Sequence, residues 1–214
     1  MIAVIKGDIM SSRKIQNPEV WLIPLQKLMG KWGEQPKDWE LVWGDFFQLE
    51  VKNPAESLHK AIQIKILIKS ISEPNISKTS SPIDVRMSIG IGEKTYGGAR
   101  ISESNGPAFI HSSEQFDRLK KEKVNLAIQS PWKDMDEEIN LYLKLAGIFM
   151  DKWSLSSAEL MQIIWADPQA TQEEVGRKLG IKQNSVSDRF KRANVEELME
   201  IEQIFRKKLQ NHLP

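Results

Sequence analysis

The stretch from Trp39 to Val51 constrains the fold most, because two short segments of alternating hydrophobicity meet there at Gly44-Asp45. Such a pattern predicts a β-hairpin whose tip carries a carboxylate. A charge at the tip of a hydrophobic hairpin costs stability unless something uses it, so Asp45 is the first candidate functional residue. A second Gly-Asp pair follows the buried segment at the start of the chain, which predicts a strand over 2–9 with Asp8 near its end. If that strand pairs with the hairpin, the two carboxylates come close enough to share a divalent cation, as in a nucleotide site.

The order of the predicted elements indicates the fold of the first part of the chain. The spacing of apolar residues predicts, in chain order, a strand over 2–9, a helix from Pro18, the hairpin, a helix over 53–71 and a strand over 84–91. This βαββαβ order is typical of the ferredoxin-like fold. A polar loop is predicted over 72–82, and a charged helix from Ser112 or Ser113. Because the later sequence predicts helices only, we expect an α+β protein with a ferredoxin-like domain over 1–130 and an all-α domain over 131–214.

Three predicted helix starts organise the second domain. They lie at Ser156–Glu159, Thr171–Glu174 and Asn194–Glu197. Each has the spacing of a capping box, in which the first side chain accepts a hydrogen bond from the backbone three residues later. The middle one opens two short helices, predicted over 172–179 and 183–192, with a tight turn at Gly180 between them. This arrangement predicts a helix-turn-helix.

The second helix of this pair has the residues expected of a helix that reads DNA. Val186 and Phe190 would pack inward, which leaves small polar side chains to reach base edges and basic side chains to contact phosphates. Asp188 brings a negative charge to the same face, and such modules also serve as protein contacts. The predicted DNA-binding residues are Gln183, Asn184, Ser185, Ser187, Arg189, Lys191 and Arg192.

Composition limits the partners of the protein. Thirty basic residues against 29 acidic ones leave a formal charge of +1, so attraction to DNA must come from a local patch. The absence of cysteine excludes disulfides and thiolate metal sites, which fits a cytoplasmic protein. No run of about 18 apolar residues is present, and the first residues enter a strand pattern, so no membrane partner is expected.

Several segments together resemble known families. The strand end Gly7-Asp8, the hairpin Trp43–Phe47 and the glycine-rich strand 85–92 resemble the palm domain of class III nucleotide cyclases and GGDEF diguanylate cyclases. With the helical end added, the chain is similar to the SatD family of bacterial proteins. The resemblance to the cyclases implies a Mg²⁺ ion at the ends of the first strand and the hairpin. The metal ligands that it implies are Asp8, the backbone carbonyl of Ile9, and Asp45.

Two residues depart from the cyclase pattern. Trp43 stands where the GGDEF motif has its first glycine, and in the cyclases that glycine lets the nucleotide approach the backbone. Phe46 replaces the second acid of the motif. The asparagine and arginine pair of class III cyclases has no counterpart in the segment 104–111. No nucleophile and base are visible together, so no catalytic residue is assigned.

Phosphate contacts are predicted near the two carboxylates. Ser11, Ser12 and Arg13 follow Asp8, and Arg100 lies beside two glycines, where it would act as a charge clamp. Each of these residues has an alternative interpretation. The first three also fit a solvated loop, Arg100 fits an ordinary surface arginine, and Asp8 and Asp45 fit turn residues bonded to nearby amides.

Three functions fit these patterns. The first domain is a nucleotide or metal sensor coupled to a DNA-binding module in a transcriptional regulator, or it is an active cyclase-type enzyme that uses a magnesium-bound nucleoside triphosphate. It also fits a purely structural dimerisation unit. An apolar stripe along the final helix either closes the core of the second domain or forms a homodimer contact.

Overall fold

The computed structural model describes residues 1–42, 44–73, 75, 77 and 79–213. Within these ranges the chain is a mixed α+β structure with one five-stranded sheet and eight α-helices. The strands are β1 (Ile2–Met10), β2 (Trp39–Val42), β3 (Phe46–Val51), β4 (Asp84–Gly92) and β5 (Leu126–Gln129). The helices are α1 (Glu19–Met29), α2 (Ser57–Lys69), α3 (Pro107–Glu122), α4 (Lys133–Met150), α5 (Leu155–Ala166), α6 (Gln172–Leu179), α7 (Gln183–Ala193) and α8 (Val195–Gln210). None of the described helices is long and apolar enough to cross a membrane.

The sheet has the strand order β2-β3-β1-β4-β5, so β1 lies at its centre. Neighbouring strands are antiparallel except β4 and β5, which are parallel. Successive side chains of a strand point to opposite faces. Ala3 and Ile5 of β1 are therefore buried in the large core that includes α1 and α2, whereas Val4 packs against Ala108 and Phe109 of α3. Helices cover both faces of the sheet.

Two elements differ from the sequence-based expectation. β5 was not predicted, because a strand of four residues that is buried against two helices shows no alternation. Helix α3 begins at Pro107 and not at Ser112 or Ser113. Gly106 has a φ of 142°, which lets the chain turn into the helix, and Pro107 occupies the first helical turn, where proline is well tolerated. Ser112 lies inside the helix and is buried.

The three predicted capping boxes have different outcomes. The box at Thr171 is confirmed, since its side chain accepts from the Glu174 amide and the Glu174 carboxylate accepts from the Thr171 amide. The box at Ser156 is wrong, because Ser154 is the cap and accepts from the Ser157 amide. The box at Asn194 is also wrong. Asn194 has a φ of 53° and its side chain makes no capping hydrogen bond, because it forms the tight junction between α7 and α8.

A buried ionic network joins the sheet to the later helices. Lys65 of α2 lies 2.7 Å from Asp84 at the start of β4 and 2.5 Å from Asp151 at the end of α4. One turn later, Lys69 donates to the Asp151 backbone carbonyl at 2.8 Å, and Asn125 donates to the Asp151 carboxylate at 2.8 Å. Both lysines are almost fully buried. The network and the apolar core cross the predicted boundary near residue 130, and the division into two domains stays a prediction.

Candidate functional site

The end of β1 carries the first predicted site residue, Asp8. It lies opposite Phe46 of β3 and Arg86 of β4, and residues opposite one another in antiparallel strands share a face of the sheet. Arg86 donates from Nε to Asp8 Oδ1 at 3.1 Å and from Nη2 to Asp8 Oδ2 at 2.8 Å. This paired geometry is the strong form of an arginine–carboxylate contact. Both oxygens of Asp8 are therefore already bonded to a cation.

The tip of the hairpin lies beside the end of β1. Ser12 Oγ donates to Asp45 Oδ2 at 2.9 Å, and the Ile9 amide donates to the Asp45 backbone carbonyl at 2.9 Å. Ser11 has a φ of 62° and starts a tight turn over Ser12–Lys14. The chain thus brings the end of β1, this turn and the hairpin tip together, while Arg13 is exposed to solvent. Trp43, the departure from the cyclase pattern, lies outside the described residues.

Aromatic and basic side chains extend the site along the face that α3 covers. The rings of Phe46 and Phe116 meet edge to face with their centroids 5.5 Å apart. The Arg86 guanidinium lies 5.5 Å from the centre of the Phe116 ring, and Lys6 Nζ lies 5.4 Å from that of Phe46. Lys6 also donates to Ser113 Oγ at 3.0 Å. Burial lowers the pKa of Lys6, and nearby Asp117 opposes this effect. The site thus combines two cations with two phenyl rings.

Sequence reasoning missed Arg86, Lys6 and Phe116. The alternation of β4 did carry a signal, because Arg86 and Ser88 are its polar positions and share a face with Lys6 and Asp8. Conversely, the predicted Arg100 is not brought to this site. Its guanidinium pairs with Glu40 at the start of β2, whereas Asp45 follows the end of that strand.

The arrangement of side chains at this site does not favour the predicted Mg²⁺ ion. Among the described residues, no three or more His, Asp or Glu side chains come together in a way that could hold a metal ion. Asp8 has both oxygens bonded to Arg86, so a cation there must displace the guanidinium. In the described arrangement the residues do not fit a bound Mg²⁺ ion, and Mg²⁺ binding stays a prediction.

A second candidate surface lies on the helix pair α6 and α7. Gly180 has a φ of 66° and turns the chain after α6, and the Ile181 amide donates to the Gly176 carbonyl at 2.9 Å. A Cβ on Gly176 would lie 2.8 Å from the Ile181 carbonyl oxygen, so glycine lets the turn between the two helices lie close against α6. Val175 and Val186 are fully buried between them. Sequence reasoning found Gly180 but not Gly176, whose role depends on the packing.

The seven predicted DNA-binding residues have different surroundings in the structure. Five are exposed on α7, namely Gln183, Asn184, Ser185, Lys191 and Arg192. Ser187 is half-buried. Arg189 turns toward α5, where its Nη1 lies 3.6 Å from Glu159 Oε2. Between residues 177 and 192 the chain has six basic residues and one acidic residue, Asp188. The nearly neutral protein therefore has a local basic surface.

The chain thus forms a mixed α+β protein with a polar and aromatic site on its sheet and an exposed basic helix near its C-terminal end. A model of the SatD family matches residues 1–208, and the protein belongs to this family. No curated protein matches the chain.

Proposed function

We propose that this protein is a DNA-binding transcriptional regulator in which α6 and α7 form a helix-turn-helix and α7 lies in the major groove. One observation supports this proposal most. The N-terminal end of α7 exposes Gln183, Asn184 and Ser185, while Val186 anchors the same turn in the core. Small polar side chains at the start of a helix held in this way reach base edges. Arg189 takes no part in reading DNA in this proposal, because it pairs with Glu159.

Contacts with phosphate supply most of the affinity in this proposal. Lys191 and Arg192 are exposed at the C-terminal end of α7, and Arg177, Lys178 and Lys182 are exposed around its N-terminal end. Each phosphate that a lysine or arginine neutralises releases counterions, so binding weakens as salt rises. A protein with a net charge of +1 gains little from long-range attraction to DNA. These five side chains therefore have to provide the electrostatic attraction locally.

The double substitution Lys191→Ala with Arg192→Ala is expected to weaken binding to a random-sequence DNA duplex at least tenfold at about 50 mM salt. The slope of log affinity against log salt should fall by about 2, since two phosphate contacts are lost. Fluorescence anisotropy at several salt concentrations measures both quantities. The matched control is Lys120→Ala with Lys121→Ala, which removes two exposed cations from α3. Equal losses in the two double variants would contradict the assignment to α7.

We further propose that the sheet half is a ferredoxin-like palm that binds a nucleotide as a sensor. The order β2-β3-β1-β4, with α1 and α2 in one core, matches the βαββαβ arrangement. Lys6 and Arg86 offer positive charge to phosphates, and the two cations lie over the rings of Phe46 and Phe116. The alternative of a cyclase-type enzyme has less support, because Arg86 bonds to both oxygens of the carboxylate that such an enzyme needs for its metal.

Arg86→Gln is expected to weaken binding of ATP or GTP at least tenfold, because it removes the charge that contacts phosphate in this proposal. Calorimetry with each nucleotide, with magnesium and without, measures the effect, and Arg118→Gln, at an exposed position of α3, is the control. Binding that requires magnesium and is lost in Asp8→Ala with Asp45→Ala would support the metal site. Turnover in the same samples would support the enzyme instead. If the wild-type protein binds neither nucleotide, the sensor proposal is wrong and the sheet half is structural.

A further inference from the structure

Helix α4 has two apolar faces, and only one is covered within the described chain. Its covered face packs against β5 and α8 through Met135, Ile139, Leu143, Ala146 and Met150. The opposite face presents Leu141, Leu145 and Ile148, which are 54%, 53% and 61% exposed. Single exposed apolar residues are common, but three on one helical face form a patch that favours a partner.

The charges that flank this patch are self-complementary. Glu137 lies one turn before Leu141, and Lys152 lies just past the end of α4, four residues after Ile148. Both charged side chains are exposed. In an antiparallel pair of α4 helices centred between Lys144 and Leu145, Glu137 of one copy lies opposite Lys152 of the other. Leu141 then lies opposite Ile148. A two-fold contact of this kind pairs opposite charges at both ends of the patch.

The surface beside the patch has room for a second helix. A groove of about 640 Å³ runs along α4, and its lining includes Val124, Asn125 and Gly147. A Cβ on Gly147 would meet only Asp151 Oδ2, at 4.0 Å, so the backbone there can be approached closely. The aliphatic stem of Lys144 can cover Leu145 of the opposite copy while its ammonium group stays in water.

We propose that a second copy of this chain docks on the exposed face of α4, so that two α4 helices pack antiparallel across a two-fold axis. Each copy contributes three exposed apolar side chains to the contact, so we expect a weak dimer that exchanges with the monomer. The contact involves neither α7 nor the site on the sheet.

Sedimentation over a concentration series tests the apolar part of the contact. The wild-type protein is expected to form dimers, and Ile148→Asp should weaken dimerisation at least 30-fold, because it places a carboxylate against Leu141 of the second copy. Ile110→Asp on α3 is the matched control, since Ile110 is 50% exposed and lies outside the patch. A wild-type protein that stays monomeric at all concentrations, or a dimer that Ile148→Asp leaves intact, would overturn the proposal.

Charge exchange tests the two-fold geometry itself. Glu137→Lys and Lys152→Glu should each weaken the dimer about tenfold, because each places like charges opposite one another. The double variant Glu137→Lys with Lys152→Glu should recover most of the wild-type affinity, since the opposite charges are restored with exchanged positions. Failure of the double variant to recover would rule out this antiparallel pairing.

Discussion

Lys65→Met is expected to lower the free energy of unfolding by about 3 kcal/mol, at the lower end of the cost of breaking a buried ion pair from one side, because the remaining carboxylates are only part-buried. The substitution keeps the length of the side chain but leaves Asp151 without its 2.5 Å partner and Asp84 with Lys69, at 3.5 Å, as its remaining cation. Both carboxylates are part-buried, and each then has less positive charge beside it. Urea denaturation measures the effect as a lower midpoint with an unchanged slope.

Two further variants sharpen this test of the buried network. Lys208→Met removes one partner of a solvent-exposed pair with Glu138 and should leave the midpoint nearly unchanged. Adding Asp151→Asn to Lys65→Met should recover part of the lost stability, because it removes one of the part-buried charges that have lost their partner. If Lys65→Met costs no more than Lys208→Met, the network does not stabilise the fold as described.

Gly90→Ala is expected to destabilise the protein by about 3 kcal/mol or more, at the upper end of overpacking effects. A Cβ on Gly90 would lie 2.1 Å from the Ser112 amide nitrogen and 2.2 Å from the Ala108 carbonyl oxygen. Both atoms belong to the backbone of α3, so the whole helix has to move away from β4. Loss of soluble, folded protein in circular dichroism would be the extreme form of the same result.

Gly97→Ala is the matched control for this substitution. A Cβ there would lie 3.2 Å from the Lys94 Cε atom, at the far end of a flexible side chain that can move aside. The change should be near neutral, or slightly stabilising through the unfolded state. Equal stability of the two variants would contradict the close packing of α3 on β4.

The elements with local signals were predicted well from the sequence. The strand predicted over 84–91 is observed as Asp84–Gly92, and the helices predicted over 172–179 and 183–192 are observed as Gln172–Leu179 and Gln183–Ala193. Alternation, a capping box and a turn glycine are each contained in a few neighbouring residues. The strand β5 has none of these signals, because its four residues depend on pairing with β4.

The partners of the site residues were harder to predict, because they depend on register and packing. Asp8 and Arg86 are 78 positions apart and meet only because β1 and β4 pair in one particular register. Arg100 was chosen for its neighbouring glycines, but its partner Glu40 comes from β2. Arg189 was expected to face outward, and α5 supplies Glu159 to pair with it. In each case the deciding contact comes from an element distant in sequence.

The burial of two lysines in α2 could not be predicted from neighbouring residues either. The apolar residues of α2 are buried on more than one side of the helix. Lys65 and Lys69 lie one turn apart among them, and nothing local shows that both are buried. Their partners come from β4 and from the end of α4, so their burial follows from the tertiary fold.

The most direct test of whether α7 reads DNA is selection of bound DNA from a random duplex pool. Affinity is then measured for the selected sequence and for a scrambled one. A regulator that reads bases through α7 should bind the selected sequence at least 1,000-fold more tightly than the scrambled one. Gln183→Ala with Asn184→Ala should lower affinity for the selected sequence and leave the scrambled one unchanged, because base contacts carry the specificity. If no sequence is enriched, or if the double variant binds the selected sequence as tightly as the wild type, α7 does not read DNA.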